Sequence, residues 1–384
     1  MIIKESKYPR ALLGIALAMI LGVSARADTG AYASPAGEGG MYVPSKNNCI
    51  EVLPNTTTPT VITISAVGDC TLGNDEKQEK NPTCFNRVYN LQGSDYFLAD
   101  VKPVFAADDL TIANLEGVIT DLGTPSETKV WRFRGRPDYL NILKNSSVEA
   151  VSFANNHCRD YGEISHVDTM MNLDLYGIRY SSEDNVCVID VKGVKVGLVS
   201  IQCAFRQPFG EVEYPDSDAM AILMKTKMDE VKEAGAELII VNCHWGVEMQ
   251  EAVTPQQYAL AHFAVDQGAD LVIGHHPHML QAAENYNGKY ILYSLGNFCF
   301  GGNSNPPDKD TCIWQMKLTM EGGEVTAQQA QMIPCRLSSH TTWNDYRPIP
   351  LAGAEAQRVI TRMNRTSNPY GVVFDEYGIA KVTR

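Results

Sequence analysis

Three histidines stand within four residues in Gly274-His275-His276-Pro277-His278, directly after the apolar run Leu271-Val-Ile273. Imidazole nitrogens ligate zinc, manganese and iron, so a cluster this dense at the end of a strand points to metal chemistry. Proline prefers an extended predecessor, which predicts a β-like His276, and the two-residue side-chain period then sends His276 and His278 to one side.

Other apolar runs end in residues of the same kind. Val61 to Val67 leads into Gly68-Asp69, Asp109 to Ala113 into Asn114-Leu115-Glu116, and Val148 to Ala154 into Asn155-Asn156-His157. Glu237 to Val241 leads into Asn242-Cys243-His244-Trp245-Gly246, and Ala269 to Ile273 into the histidine cluster. Cys70, Cys158 and Cys243 each adjoin one of these residues, and alternation turns their side chains away, so they are expected as small buried neighbours; thiolate ligation is the alternative. The remaining oxygen and nitrogen donors suit zinc, manganese or iron better than calcium or magnesium. A carboxylate such as Glu116 can bridge two ions about 3.5–4 Å apart, which activates water and neutralises a charged transition state, so the expected reaction class is hydrolysis.

The elements that must position these groups alternate. Between the strand-like runs lie helical patterns, Ser217 to Ala234 closed by Gly235, and Thr254 to Gln267 with Thr254 as N-cap, Pro255 at the first position and Gly268 past the end. Alternating strands and helices predict an α/β sheet layered with helices, with its site beyond the carboxyl ends of the strands. Lys289 to Phe300, Cys312 to Met320 and Gly323 to Ala327 predict an antiparallel portion, and Leu351 to Asn364 an amphipathic terminal helix. There is no internal repeat.

The blocks Val67-Gly68-Asp69, Asn114-Leu115-Glu116, Asn155-Asn156-His157 with Asp160-Tyr161-Gly162, His244 to Glu248, Gly274 to His278, and Tyr293-Ser294-Leu295-Gly296-Asn297-Phe298 together resemble the CapA family. That family is associated with bacterial poly-gamma-glutamate capsule synthesis and is related to calcineurin-like metallophosphoesterases. The resemblance covers roughly Val61 to Phe300 and more weakly extends toward Ile349. It implies an α/β sandwich of two central β-sheets flanked by helices, and Asp69, Glu116, Asn156, His244, His276 and His278 as the ligands of two divalent ions, manganese, iron or zinc. It also implies that His157 protonates a leaving group or steadies the transition state, with Asp160 orienting its imidazole. Two departures stand out: Cys70 and Thr71 follow Asp69 where the phosphoesterase pattern has a histidine two residues on, and Glu116 stands where that pattern has aspartate. The missing imidazole weakens the first metal position, so a single ion is the alternative.

Substrate binding is expected from Lys129-Val-Trp131-Arg132-Phe133-Arg134-Gly-Arg136, where alternation would set Arg132, Arg134 and Arg136 on one face as a carboxylate or phosphate clamp. A charged edge strand is the competing reading. Arg159 would widen the anion-binding mouth, and Trp245 would wall the site or lie in the core.

Composition limits the partners. With 384 residues, 44% of them hydrophobic, the chain has ample material for a core, and a formal charge of −13 disfavours nucleic acid as a partner. Lys4, Lys7 and Arg10 precede the apolar run 11–23 and Ala25-Arg26-Ala27, the order of a secretory signal cleaved after Ala27. An uncleaved membrane anchor is the alternative. The expected organisation is a signal peptide over 1–27, a flexible spacer over 28–60, the CapA or metallophosphoesterase-like domain over 61–349 and a helical tail over 350–384. Ten cysteines suit an oxidising compartment without scaffold spacing, and Cys299 and Cys312 are placed to face each other across a hairpin. The functional expectation is a secreted, periplasmic or cell-surface metal-dependent hydrolase-like protein, a phosphoesterase or gamma-glutamyl amide hydrolase, handling poly-gamma-glutamate or a phosphorylated envelope component. The alternative is a non-catalytic polymer-binding component of a capsule assembly with membrane partners.

Overall fold

The computed structural model describes residues 59–204 and 217–383; the expected signal peptide, nearly all of the expected spacer and Arg384 lie outside these residues. Strand-forming runs that are apolar on both faces need cover on both sides, and the chain supplies it. In the strand Thr60–Thr71, Ile62, Ile64 and Ala66 face one core and Val67 and Cys70 another. In Leu238–His244, Leu238 and Ile240 face the first of these cores, while Ile239, Val241 and Cys243 face a third.

The first core lies between two sheets. One sheet runs in the order Ile349–Pro350, Glu324–Arg336, Asp310–Glu321, Thr60–Thr71, Leu110–Leu115, Ala150–Phe153, Arg179–Ser182, and the short strand Asn297–Phe300 joins the end of Thr60–Thr71. The other runs Ala283–Tyr286, Lys289–Leu292, Leu271–His275, Leu238–His244, Val194–Gln202, Cys187–Val191. Outside the first sheet the helices Phe85–Gln92 and Glu163–Tyr176 contribute Phe85 and Leu173 to the second core; outside the other, Ser217–Glu233 and Pro255–Asp266 contribute Met224, Met228 and Leu260 to the third. The architecture is therefore the expected pair of central sheets flanked by helices.

Local signals set several boundaries. Thr254 and Gln257 form a reciprocal capping box, with Gln257 N–H donating to Thr254 Oγ1 at 3.2 Å and Thr254 N–H to Gln257 Oε1 at 2.9 Å. Gly268 takes φ +100° just beyond the helix. The tail is not helical throughout: Gly353–Ser367 is a helix, and Val372–Phe374 and Ala380–Val382 then pair as a hairpin. Val359, Ile360, Met363 and Phe374 join the inter-sheet core, so this tail closes the sandwich. Among the described residues no helix is long and apolar enough to cross a membrane.

Candidate metal centre

Strand register brings the ligand-type residues together. Asp69 lies opposite Asn114 on one neighbouring strand and Asn297 on the other, all parallel, and in the second sheet His275 lies opposite His244. Glu116 follows one residue after the strand Leu110–Leu115, and Asn155-Asn156-His157 follows Ala150–Phe153. Gly274 permits the close approach behind the histidines, because a Cβ there would sit 2.0 Å from the Tyr293 carbonyl oxygen.

At the centre Asp69 and Glu116 are wholly buried. Asn114 Nδ2 donates to Asp69 Oδ1 at 2.8 Å, and the His276 N–H donates to Asp69 Oδ2 at 3.3 Å. His278 Nδ1 lies 2.9 Å from Asn297 Oδ1 and 3.3 Å from Asp69 Oδ2. Both neighbours are oxygen acceptors, so Nδ1 carries the proton and Nε2 is the atom turned to Glu116, at 3.8 Å. His244 Nε2 is also 3.8 Å from Glu116 Oε1 and lies 2.8 Å from Asn156 Oδ1. Donor atoms of Glu116, His244 and His276, of Asp69, Glu116 and His278, and of Glu248, His276 and His278 form three overlapping sets, each within 4.8 Å.

The donor set fits a divalent cation. Both Glu116 carboxylate oxygens are buried without a hydrogen-bond partner, surrounded by imidazole nitrogens too distant to bond them. An orphaned buried carboxylate is costly unless a cation or a proton compensates it. Burial pushes the Glu116 pKa well above the usual carboxylate value, whereas burial at Asp69 is overcome by His275 and His278, which hold its pKa well below. Burial opposes a charge on His278 too, but Glu116 and Asp69 outweigh it and raise its pKa to about 10. The pull that keeps a proton there is the pull that would hold a metal ion.

His157 stands beside this centre, with Nε2 4.0 Å from Glu116 Oε1 and Nδ1 2.7 Å from Asp160 Oδ2. Asp160 is buried and also accepts from the Phe133 N–H at 2.6 Å and from Lys129 Nζ at 2.7 Å. Lys129 Nζ donates as well to the Asn156 carbonyl, tying the residues on either side of His157. The Phe133 ring packs on His157 with centroids 4.4 Å apart.

Several expectations need correction. His276 is not β-like: its φ is +96° and that of His278 is +58°, so the two rings, 5.8 Å apart, share a donor set through a tight turn and not through strand alternation. The arginines do not form a common clamp, because only Arg134-Gly135 is strand and each guanidinium has its own partner. Arg132 donates to the Ser126 carbonyl, Arg134 to Glu76, and Arg136 to both oxygens of Asp138. Arg159 is surrounded by Glu163, Glu183 and Asp184, which consume its charge. Trp245 is 1% exposed in the third core, and its indole N–H donates to the Tyr293 carbonyl at 2.8 Å, so it walls no substrate site. Cys299 and Cys312 are free thiols in different cores, since the strand Asn297–Phe300 pairs with Thr60–Thr71 instead of forming a hairpin with Asp310–Glu321. Cys70, Cys158 and Cys243 are buried neighbours with thiol pKa values raised by burial.

The structure adds two groups that the sequence argument did not assign to the centre. Glu248 reaches His276 and His278 from the loop after His244, and His275 places Nδ1 3.4 Å from Asp69 Oδ1. Both had a signal, Glu248 four residues after a ligand-type histidine and His275 inside the densest histidine cluster.

The fold is thus a two-sheet α/β sandwich flanked by helices, with carboxylates and imidazoles gathered at its strand ends. The chain belongs to the family described as "Bacterial capsule synthesis protein PGA_cap", whose profile matches residues 63–302. It is 31% identical over 254 residues to the "Capsule biosynthesis protein CapA" of Bacillus anthracis and 30% identical over 254 residues to the "PGA biosynthesis protein CapA" of Bacillus subtilis (strain 168). Each match covers 62% of this chain, and 60% and 63% of the respective relative, so more than a third of each relative's length lies outside it. Among solved structures, the calcineurin-like phosphoesterase YfkN from Bacillus subtilis aligns at 15% identity with a TM-score of 0.41, covering 81% of this chain and 99% of that one.

Proposed function

We propose that this chain is a metal-dependent hydrolase that cleaves a phosphoester or gamma-glutamyl amide bond of an anionic capsule polymer, poly-gamma-glutamate in the first instance. The observation that carries this reading is the buried Glu116 carboxylate, without hydrogen-bond partners, among the Nε2 atoms of His244, His278 and His157. Asp69, Glu116, Asn156, His244, His276 and His278 would hold two ions, of manganese, iron or zinc, with Glu248 completing the set on its side. Bound there, such ions acidify water and offset negative charge that develops in the transition state. His157 donates its Nδ1–H to Asp160, which leaves the Nε2 lone pair to take a proton from the attacking water and then, as imidazolium, to pass it to the leaving group. Lys129 and the Phe133 N–H hold the Asp160 carboxylate in place for that task.

A second reading, a polymer-handling component without turnover, is favoured by the names of the relatives, which speak of biosynthesis and not of breakdown. Elemental analysis of protein purified without chelators or affinity nickel separates the two, run beside the double variant His276→Ala, His278→Ala. Near two equivalents of metal, lost in the variant, with turnover of phosphoester or gamma-glutamyl substrates lost in His157→Ala, is the expected result. Absence of metal after reconstitution would leave the polymer-handling reading. Export is part of the proposal: mass spectrometry of the mature protein should find a new amino terminus after Ala27, and an intact terminus in the membrane fraction would favour an uncleaved anchor.

A further inference from the structure

A cavity of about 220 Å³ is lined by Asn74, Glu76, Glu79, Asp121, Arg134 and Tyr161, with Thr120 beside them. Its walls continue the segments that carry the metal centre: Thr120 and Asp121 follow Glu116, Arg134 follows Phe133, and Tyr161 follows Asp160. Phe133 packs on His157, while Arg134 beside it lines the cavity with its guanidinium 4.0 Å from the Tyr161 ring centroid. The volume lies below the roughly 300–1,000 Å³ of drug-sized pockets and suits one small residue or the end of a chain.

The charges in this cavity are of both signs. Arg136, also in the lining, is committed to both oxygens of Asp138, which leaves Arg134 as its principal cation. Glu76 Oε1 accepts from Arg134 at 3.4 Å and from the Tyr161 hydroxyl at 3.2 Å. Glu79 Oε1 accepts from Asn74 Nδ2 at 3.0 Å and Asn86 Nδ2 at 2.5 Å. Among the described residues the hydrogen bonds of Glu76 and Glu79 fall on Oε1 of each, Asp121 stands exposed at the rim, and Arg134 reaches Glu76 through a single N–H group. One cation facing three carboxylates does not select a polyanion; it selects a ligand with an ammonium group beside a carboxylate.

We propose that this cavity binds the amino-terminal end of a gamma-linked glutamyl chain, with Arg134 on the α-carboxylate and Glu76, Glu79 and Asp121 around the α-ammonium. Linkage through the side-chain carboxyl leaves both α-groups of the first residue free, whereas an ordinary α-linked peptide keeps only the ammonium. The cavity thus reads the linkage as well as the charge. The inference rests on the polymer named under the proposed function, but not on turnover or on metal.

Calorimetric titration of the full chain, with and without chelator, tests it with gamma-glutamylglutamate, α-glutamylglutamate and glutarate as probes. The gamma-linked dipeptide should bind at least about tenfold more tightly than the other two, a discrimination of about 1.4 kcal/mol. Arg134→Met should erase the preference for the gamma linkage, and Asp121→Asn, at an exposed position that does not endanger folding, should weaken both dipeptides. Binding should persist in His276→Ala, His278→Ala, so a protein that holds no metal and hydrolyses nothing can still satisfy the inference. Equal binding of the two dipeptides, no binding of the gamma-linked one up to about 10 mM, or binding lost in the histidine variant and unchanged in Asp121→Asn would each overturn it.

Discussion

Glu116 and His278 titrate against each other across 3.8 Å of buried space, and their pKa values are displaced in the same direction. A raised native pKa means stability that is present below the unfolded value and lost as pH rises through the native one. For His278 that window runs from 6.5 to about 10, and for Glu116 it opens above 4.5. Protein stripped of metal should therefore lose urea resistance between pH 6.5 and about 10, and metal-loaded protein much less, because the cation takes over the role of the proton. A flat profile for the stripped protein would show that the two groups are not coupled as described. Trp245 gives the contrasting case. Its burial in the third core predicts that Trp245→Ala costs about 3–5 kcal/mol of stability in denaturant titration, while Trp245→Phe leaves KM for any substrate unchanged.

At the scale of elements, the terminal helix Gly353–Ser367 is pinned to two loops by an ion network. Arg362 reaches Asp308 at 2.8 Å, Asp310 at 3.0 Å and Glu251 at 3.1 Å, and Arg358 and Arg365 add contacts to Asp310 and Glu251. Glu251 lies three residues beyond Glu248, so the helix braces the loop that completes the metal centre. Arg362→Met should destabilise the fold by about 2 kcal/mol in urea titration, less than the roughly 3–5 kcal/mol for a fully buried pair because the side chain keeps some solvent. Burial opposes ionisation of Asp310, yet Arg358 and Arg362 hold its pKa below 3.8. Its contribution is thus present above 3.8 and lost as pH falls through the lowered value. Hydrogen exchange on the helix should accelerate in that acid window, and Asp310→Asn should show the fast exchange at neutral pH.

For the molecule as a whole, the centre draws on both sheets: Asp69, Glu116 and His157 come from one, His244, His276 and His278 from the other. A cation that binds only when both sheets are in place stabilises the native state by mass action, by about 2.7 kcal/mol when free metal is about a hundred times its Kd. Chelation should accordingly lower the midpoint of thermal unfolding by several degrees, and manganese or zinc should restore it. No shift on adding either metal would mean that the donor sets are not filled in the folded protein.

Much of this was legible in the chain, because the signals are local. Strand ends at Asp69, Glu116, Asn156, His244 and His276 follow β-branched apolar runs whose carboxyl ends must gather in a layered sheet, and the Thr254 cap and Gly268 stop are written in adjacent residues. The two-sheet architecture followed from the ordered family blocks, each too short to specify it alone. What the sequence could not decide was direction and company. The positive φ of His276 depends on a tight turn closed by the N–H of His276 on Asp69, 207 residues away. The separation of Cys299 from Cys312 depends on which strand each one joins. Arginines spaced for a shared face found separate carboxylates, and Trp245 found a carbonyl in the core, because a charge or a donor pairs with whatever the fold brings nearest. Residue type and local period come from the sequence; partners distant in sequence come only from the packing of one sheet on another.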